Sequence, residues 1–226
     1  MITAFKSEGT NAYFIIRELK REYHDAAKDL YYNSYGDGFA KKFPADTPNL
    51  NHIYHNFELN AEEMILQTAM VHLAPWEKAL KTFLSLVEDQ NIDWWLTGSA
   101  ALAVRGINIL PRDIDLIVAE ADCVRLGELL ADYLVEPVIR NVGWIANWCG
   151  RTFINARLEW VSGVIDRVDT PNVSGFGPTA TKMLEVVKWS GAKIRVPPVE
   201  LQLQVSERRG LNERVKKIKL YQQGQL

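Results

Sequence analysis

Apolar residues recur along this chain with two periods, and each period predicts a different kind of element. Between residues 76 and 90 an apolar side chain returns every three or four positions, which is typical of an amphipathic helix. Between residues 151 and 164 apolar and polar residues alternate, as they do in a half-buried strand. Short apolar runs near Val138 and Ile145 suit further strands. The middle of the chain is therefore expected to form a small mixed β-sheet flanked by helices.

The same pattern divides the chain into three parts. Residues 1–73 are expected to form a helical N-terminal extension. Helical spacing there is indicated by Phe14, Ile15, Leu19 and Tyr23. Residues 74–196 carry the sheet pattern, and residues 197–226 begin at a Pro-Pro pair and predict two helices separated by Gly210. The predicted fold class is α+β, with a helical N-terminal extension and C-terminal helices around the mixed sheet.

Charge and cysteine content narrow the function classes. A formal net charge of −2 over 226 residues gives no general electrostatic field for nucleic acid. Cys123 and Cys149 are far apart and form no Cys-x-x-Cys motif, which argues against a zinc site or a disulfide framework and favours the cytoplasm. No apolar run approaches the length of a membrane span, and charges interrupt the N-terminal stretch where a signal peptide would lie.

The candidate chemistry is concentrated between residues 94 and 118. An apolar strand is followed by a Gly98-Ser99 turn, an Ala-rich helix, a loop and a second strand with Asp113 and Asp115. Alternate side chains of a strand share a face, so both carboxylates point the same way. Their repulsion raises a pKa or demands a cation, and oxygen-only ligands favour Mg²⁺ or Mn²⁺. Free backbone N–H groups at the turn could hold phosphate, so the segment predicts phosphoryl or nucleotidyl transfer.

Each half of this pattern has an ordinary structural interpretation as well. A lone Asp-x-Asp is commonly a solvated strand end, and a lone Gly-Ser before a helix is commonly a capped turn. The two halves occur here in a fixed order within a strand–helix–strand context. That combination favours the functional interpretation.

At these residues the chain resembles the nucleotidyltransferases of the polymerase-beta superfamily. The longer pattern TGSAALAVRGINILPRDIDLIV is similar to the small lincosamide- and aminoglycoside-type enzymes. The resemblance spans about residues 76–221 and does not reach the N-terminal third. It implies that residues 74–196 form a nucleotidyltransferase core, which moves a nucleoside monophosphate from a nucleoside triphosphate to a hydroxyl of a small, antibiotic-like acceptor. It also implies that Asp113 and Asp115 are catalytic and hold Mg²⁺ or Mn²⁺, and that Gly98 and Ser99 bind the nucleotide.

The resemblance further implies a third carboxylate on a later strand. Glu159 is the best-placed acid, because it lies within the alternating strand at 151–164. We expect it to be a metal ligand, a general base or both, against the alternative of a surface glutamate; Asp166 is the next candidate. Arg105 follows the helix after the turn and is the candidate phosphate ligand, although a helix-terminal charge is the alternative. Arg112 is expected to be an ion-pair partner on the opposite face of the strand.

Several alternatives stay open. The acceptor could be a protein or a tRNA, as for a toxin or regulator, although the lack of a basic tract argues mildly against tRNA. Alternatively, the fold could be a catalytically silent nucleotide-binding module, but the intact motifs argue against that. A locally basic C-terminal segment is interpreted as a solvated helix face before a wall of the triphosphate site: Arg195, Arg208, Arg209, Arg214, Lys216, Lys217 and Lys219. Five aromatic residues could line an acceptor pocket, but a lobe core is favoured: Tyr31, Tyr32, Tyr35, Phe39 and Phe43.

Overall fold

The computed structural model describes residues 1–140 and 145–225, which form three sheets and a set of surrounding helices. The strands are β1 (Ile2–Glu8), β2 (Asn11–Arg17), β3 (Asn33–Tyr35), β4 (Gly38–Pro44), β5 (Trp94–Thr97), β6 (Asp113–Val118), β7 (Leu134–Arg140), β8 (Ala146–Ile154), β9 (Ala156–Val164), β10 (Glu185–Trp189) and β11 (Ala192–Val196). The helices are α1 (His24–Asp29), α2 (Leu50–Thr68), α3 (Trp76–Val87), α4 (Gly98–Ala103), α5 (Cys123–Leu129), α6 (Pro178–Thr181), α7 (Val199–Arg208) and α8 (Asn212–Gln222). The predicted α+β class is confirmed.

The central sheet has five strands in the order β5-β6-β9-β8-β7. Strands β6 and β9 pair in parallel, and the other neighbours pair antiparallel, so the sheet is mixed as the sequence predicts. Helix α3 forms where the apolar stripe predicts it, with Trp76, Leu80 and Phe83 buried. The turn after β5 and the start of β6 lie at neighbouring strand ends, because β5 and β6 are paired.

The N-terminal extension is not the helical segment that we expected. Its main feature is a four-stranded antiparallel sheet in the order β1-β2-β4-β3, beside α1 and α2. Phe14 and Ile15 lie on β2, and both are buried, so their spacing reflects a strand covered on both faces. The segment is rich in aromatic and β-branched residues, which fit a pleated sheet better than a helix. The boundaries at residues 73 and 196 stay predictions.

The N-terminal sheet and the central sheet share one hydrophobic core. Helix α2 lies between them and buries Phe57, Met64 and Ile65. It also bonds to the central part of the chain, since Gln67 Nε2 donates to the Asn155 carbonyl over 2.9 Å. Tyr32 and Phe39 are buried in this core, as the favoured interpretation of the aromatic residues expects.

Residues 197–226 form the two predicted helices, and α7 begins directly after Pro198. Strands β10 and β11, which precede this part, form an antiparallel hairpin. Helices α7 and α8 follow each other across Gly210 and pack together, and Ile218 of α8 is buried with Leu102 of α4 and Leu203 of α7. Within the described residues no helix combines the length and apolar character that crossing a membrane requires.

Candidate active site

Three acidic side chains meet on one face of the central sheet. Asp113 and Asp115 alternate with Ile114 on β6; both carboxylates are partly exposed, whereas Ile114 is buried. In the parallel register, Arg157 is the neighbour of Asp113 and Glu159 is the neighbour of Asp115. Side chains at the same register position of paired strands share a face. Glu159 therefore lies beside the two aspartates and not on the far face of the sheet.

These acids line a cavity of about 730 Å³, called here the larger cavity. Gly98, Ser99, Asp113, Asp115 and Glu159 all lie on its walls. Its volume falls within the range of about 300–1,000 Å³ that small-molecule sites occupy. Five of the predicted site residues thus meet around one space of ligand size.

The turn at Gly98 depends on glycine for two reasons. Its φ angle of 65° lies in the left-handed region, which residues other than glycine rarely adopt. A Cβ atom built on Gly98 would also overlap the Asp115 carboxylate. The turn is held from two sides, because Gln202 Nε2 donates to the Gly98 carbonyl over 2.9 Å and Thr97 Oγ1 donates to the Gly175 carbonyl over 2.7 Å. The backbone therefore passes close to Asp115 in a fixed position.

Two arginines hold Glu159 in its ionised form. Arg151 donates to Glu159 Oε2 over 2.7 Å, and Arg157 Nε lies 2.6 Å from Glu159 Oε1. Arg157 also donates to Asp113 Oδ2. Burial alone would raise the pKa of Glu159, but Arg151 and Arg157 outweigh it and lower that pKa to about 2. In this state Glu159 is a strong hydrogen-bond acceptor and a weak base.

Asp115 is in the opposite situation. Burial, followed by the charges of Asp113 and Glu159, raises its pKa from 3.8 to about 8, and Arg157 and Arg214 only partly oppose this rise. An additional cation beside Asp115 would therefore be stabilising. The oxygen donors of Asp113 and Asp115 fit Mg²⁺ or Mn²⁺.

The third predicted ligand is arranged differently. Across residues 1–140 and 145–225, no three His, Cys, Asp or Glu side chains converge as a metal-binding cluster. Arg157 contacts both Asp113 and Glu159, and so separates these two carboxylates. Asp113 and Asp115 fit as ligands in the observed arrangement, whereas Glu159 could join them only after Arg157 moves.

The structure corrects the expectations for the arginines. Arg105 does not reach the turn, because its guanidinium donates to Glu185 Oε2 over 2.5 Å and to the Pro197 carbonyl over 2.9 Å. We therefore withdraw its phosphate role. Arg112 precedes β6, so the alternation of the strand does not apply to it, and it lines the larger cavity. Arg209 and Arg214 line the same cavity, which favours the wall interpretation for these two members of the basic segment.

Sequence reasoning missed three further residues of the site. Arg157 stands two positions before Glu159, so strand alternation alone could have placed it on the same face. Arg151 lies opposite Glu159 only because of the β8–β9 register, which the sequence does not specify. Gln202 supports the turn from α7, and no local motif signals this contact.

Comparison with known proteins gave structural matches only. No family model and no curated protein matches the chain. A Thermotoga maritima protein provisionally described as a nucleotidyltransferase is 17% identical, over 66% of this chain and 93% of its own, with a TM-score of 0.49. The lincosamide adenylyltransferase LnuA is 16% identical, over 63% and 96%, with a TM-score of 0.46. The antibiotic-resistance factor ANT(2'')-Ia is 11% identical, over 63% and 80%, with a TM-score of 0.43.

Each of these identities is below 25% and each TM-score is below 0.5, so the function proposed below rests on the residues of the site.

Proposed function

We propose that this protein is a nucleotidyltransferase that moves a nucleoside monophosphate from a nucleoside triphosphate to a hydroxyl group of a small molecule. The observation that carries the proposal is the larger cavity. It brings the Gly98-Ser99 turn, Asp113, Asp115 and Glu159 together, although they come from three separate segments of the chain. A phosphate-binding turn beside paired carboxylates is what this transfer requires.

The triphosphate would bind between the turn and the C-terminal helices. Ser99 and Gly98 both line the cavity at the turn, and the absence of a side chain at Gly98 lets the backbone pass close to the Asp115 carboxylate. Arg112, Arg209 and Arg214 line the cavity as well. Guanidinium groups bind phosphate through charge-assisted and often paired hydrogen bonds. These residues would fix the triphosphate so that its α-phosphorus faces Glu159.

Asp113 and Asp115 would hold Mg²⁺, with Mn²⁺ as the second choice. When bound, the ion neutralises charge on the triphosphate and on the pyrophosphate leaving group. Glu159 would accept a hydrogen bond from the acceptor hydroxyl and so orient its oxygen toward the α-phosphorus. The new oxygen–phosphorus bond forms as the bond to pyrophosphate breaks, and the hydroxyl proton passes to a Glu159 carboxylate oxygen and then to water. The low pKa of Glu159 means that this proton moves late, when the hydroxyl has become acidic.

A nucleotide-binding module without catalysis is the second candidate. The contact of Arg157 with both Asp113 and Glu159 favours it, because a fixed arginine there would keep the three carboxylates from acting together.

Transfer of labelled nucleotide separates the two candidates. The protein is incubated with each α-labelled nucleoside triphosphate, Mg²⁺ or Mn²⁺, and a panel of hydroxyl compounds, and both labelled product and pyrophosphate are measured. We expect transfer with the wild type and none with Asp113→Asn. Asp132→Asn is the matched control, since its side chain is 88% exposed. Triphosphate binding without transfer to any acceptor would favour the module.

A further inference from the structure

A second cavity of about 230 Å³, called here the smaller cavity, adjoins the larger one. Four residues line both: Tyr31, Glu159, Trp160 and Val161. A molecule in the smaller cavity would therefore lie against the same carboxylate that faces the larger cavity. Tyr31 and Lys41 come from the N-terminal extension, which the family resemblance does not reach.

Each charged side chain that lines the smaller cavity is paired with an opposite charge. Lys41 Nζ lies 2.5 Å from Glu136 Oε2, and Arg151 lies 2.6 Å from Glu136 Oε1 and 2.7 Å from Glu159 Oε2. Two cations and two anions thus alternate in one chain of contacts. Their side chains are between 5% and 24% exposed, so solvent screens them little. The wall is strongly polar at this edge but carries no net charge.

The rest of the smaller cavity is mainly apolar. Pro137, Ile139, Trp160 and Val161 contribute to its lining. The Tyr31 ring stands at the rim and is 59% exposed. The Arg151 guanidinium lies 5.7 Å and Lys41 Nζ 5.4 Å from the centre of this ring, which is cation–π distance. An aromatic ring held in place but still exposed offers a surface on which another ring can stack.

The backbone next to Tyr31 is fixed by the same ion chain. Arg151 donates to the Leu30 carbonyl over 3.1 Å, and Lys41 Nζ donates to the same oxygen over 3.4 Å. The residue that holds Glu159 therefore also holds the segment that carries Tyr31. Arg151 therefore contacts both the Leu30–Tyr31 segment of the N-terminal extension and Glu159 on β9.

We propose that the smaller cavity is the acceptor site and that it takes an uncharged hydroxyl compound with a single aromatic or aliphatic ring. The inference rests on the proposed transferase function and names its substrate class. A volume of about 230 Å³ is below that of most ligand sites and suits one ring system. Every charge on the wall already has a partner, so a cationic acceptor would be desolvated without compensation. A hydroxyl on the bound ring would reach Glu159.

Two phenols of the same shape test the charge argument. In 4-propylphenol a methyl group ends the side chain, and in tyramine an ammonium group takes its place. We expect saturable binding of 4-propylphenol by ligand-observed NMR, with tyramine weaker by roughly tenfold because its charge has no partner. Lys41→Met removes one cation and leaves the wall with a net negative charge. This variant should bind tyramine better than the wild type does, which a purely apolar preference would not produce.

Tyr31 tests the position of the site. Tyr31→Ala should weaken 4-propylphenol by about fivefold, and Tyr31→Phe should retain binding, because the ring is what the ligand stacks on. Tyr35→Ala is the matched control, since Tyr35 stacks on Tyr13 and lies outside both cavities. Tyr31 is mostly exposed, so the variant is expected to fold, and its thermal unfolding is recorded in parallel.

A titration with nucleoside triphosphate on the same samples separates the two proposals. Absence of triphosphate binding by the wild type would overturn the transferase function. If the triphosphate binds but 4-propylphenol does not saturate, or if Tyr31→Ala binds it unchanged, the acceptor site is refuted. Equal affinity for tyramine and 4-propylphenol in the wild type would refute the uncharged substrate class.

Discussion

Replacing Asp115 by asparagine should stabilise the ligand-free protein at alkaline pH. Asp115 has a pKa near 8 because burial, Asp113 and Glu159 all oppose its charge. The folded state therefore binds a proton that the unfolded state has already lost, and stability falls as the pH rises from 3.8 to about 8. Each pKa unit is worth about 1.4 kcal/mol, so the cost has an upper bound of ~6 kcal/mol. Water at the cavity wall screens part of it, and we expect about 1–3 kcal/mol.

Urea unfolding at a series of pH values measures this difference. In the absence of divalent cations, Asp115→Asn should be about 1–3 kcal/mol more stable than the wild type near pH 8, and the gap should shrink as the pH falls toward 4. Added Mg²⁺ should stabilise the wild type at pH 8 more than the variant, because a cation offsets the same repulsion. Asp132→Asn should show neither effect, since that side chain is 88% exposed. If Asp115→Asn is no more stable than the wild type near pH 8, the electrostatic reasoning about this site is wrong.

Three further substitutions probe the remaining site residues. Gly98→Ala should lower the free energy of unfolding, measured in urea, by about 1–2 kcal/mol, because position 98 has a positive φ. The new Cβ should also displace Asp115 and weaken triphosphate binding measured by calorimetry, and an unchanged affinity would contradict the assignment of the turn. Arg157→Gln removes a cation that contacts Asp113 and Glu159, so the affinity of the nucleotide-free protein for Mn²⁺, measured by electron paramagnetic resonance, should rise by roughly tenfold. Arg195→Gln is the control, and a Mn²⁺ affinity equal to that of the wild type would show that Arg157 does not compete with the metal ion. Glu159→Gln should lower the rate of nucleotide transfer by ~10²–10⁴-fold and leave the triphosphate affinity unchanged. Loss of triphosphate binding would show instead that Glu159 binds the nucleotide.

The aspartate pair and the turn could be predicted because each depends on local geometry. Asp113 and Asp115 share a face through strand alternation, whatever the rest of the fold does. The requirement for glycine at position 98 follows from the sharp change of direction between β5 and α4. Glu159 is less local: alternation places it on one face of β9, but only the β6–β9 register brings that face beside Asp115.

The positions of Arg105 and Arg214 could not be predicted in the same way, because each depends on a distant part of the chain. Arg105 was expected at the phosphates, yet Glu185 lies 80 positions away in sequence and binds it. Arg214 lies on α8 and lines the larger cavity because this helix packs back against α7 after Gly210. Charged side chains have long reach, so their partners are set by tertiary structure more than by neighbours in sequence.

The N-terminal extension shows how an error in secondary structure affects the functional interpretation. If the extension is interpreted as a helical lobe, all five of its aromatic residues are assigned to a core, and none of them needs a further role. Tyr32 and Phe39 are indeed buried, but Tyr31, which takes a positive φ shortly before β3, is 59% exposed and is turned out of that core. Its ring lies against Arg151 because Lys41 and the Leu30 carbonyl are held by the same ion chain. A part of the chain outside the family resemblance thus contributes to the wall beside Glu159, and substitutions in that part would change the proposed acceptor site without altering the aspartates.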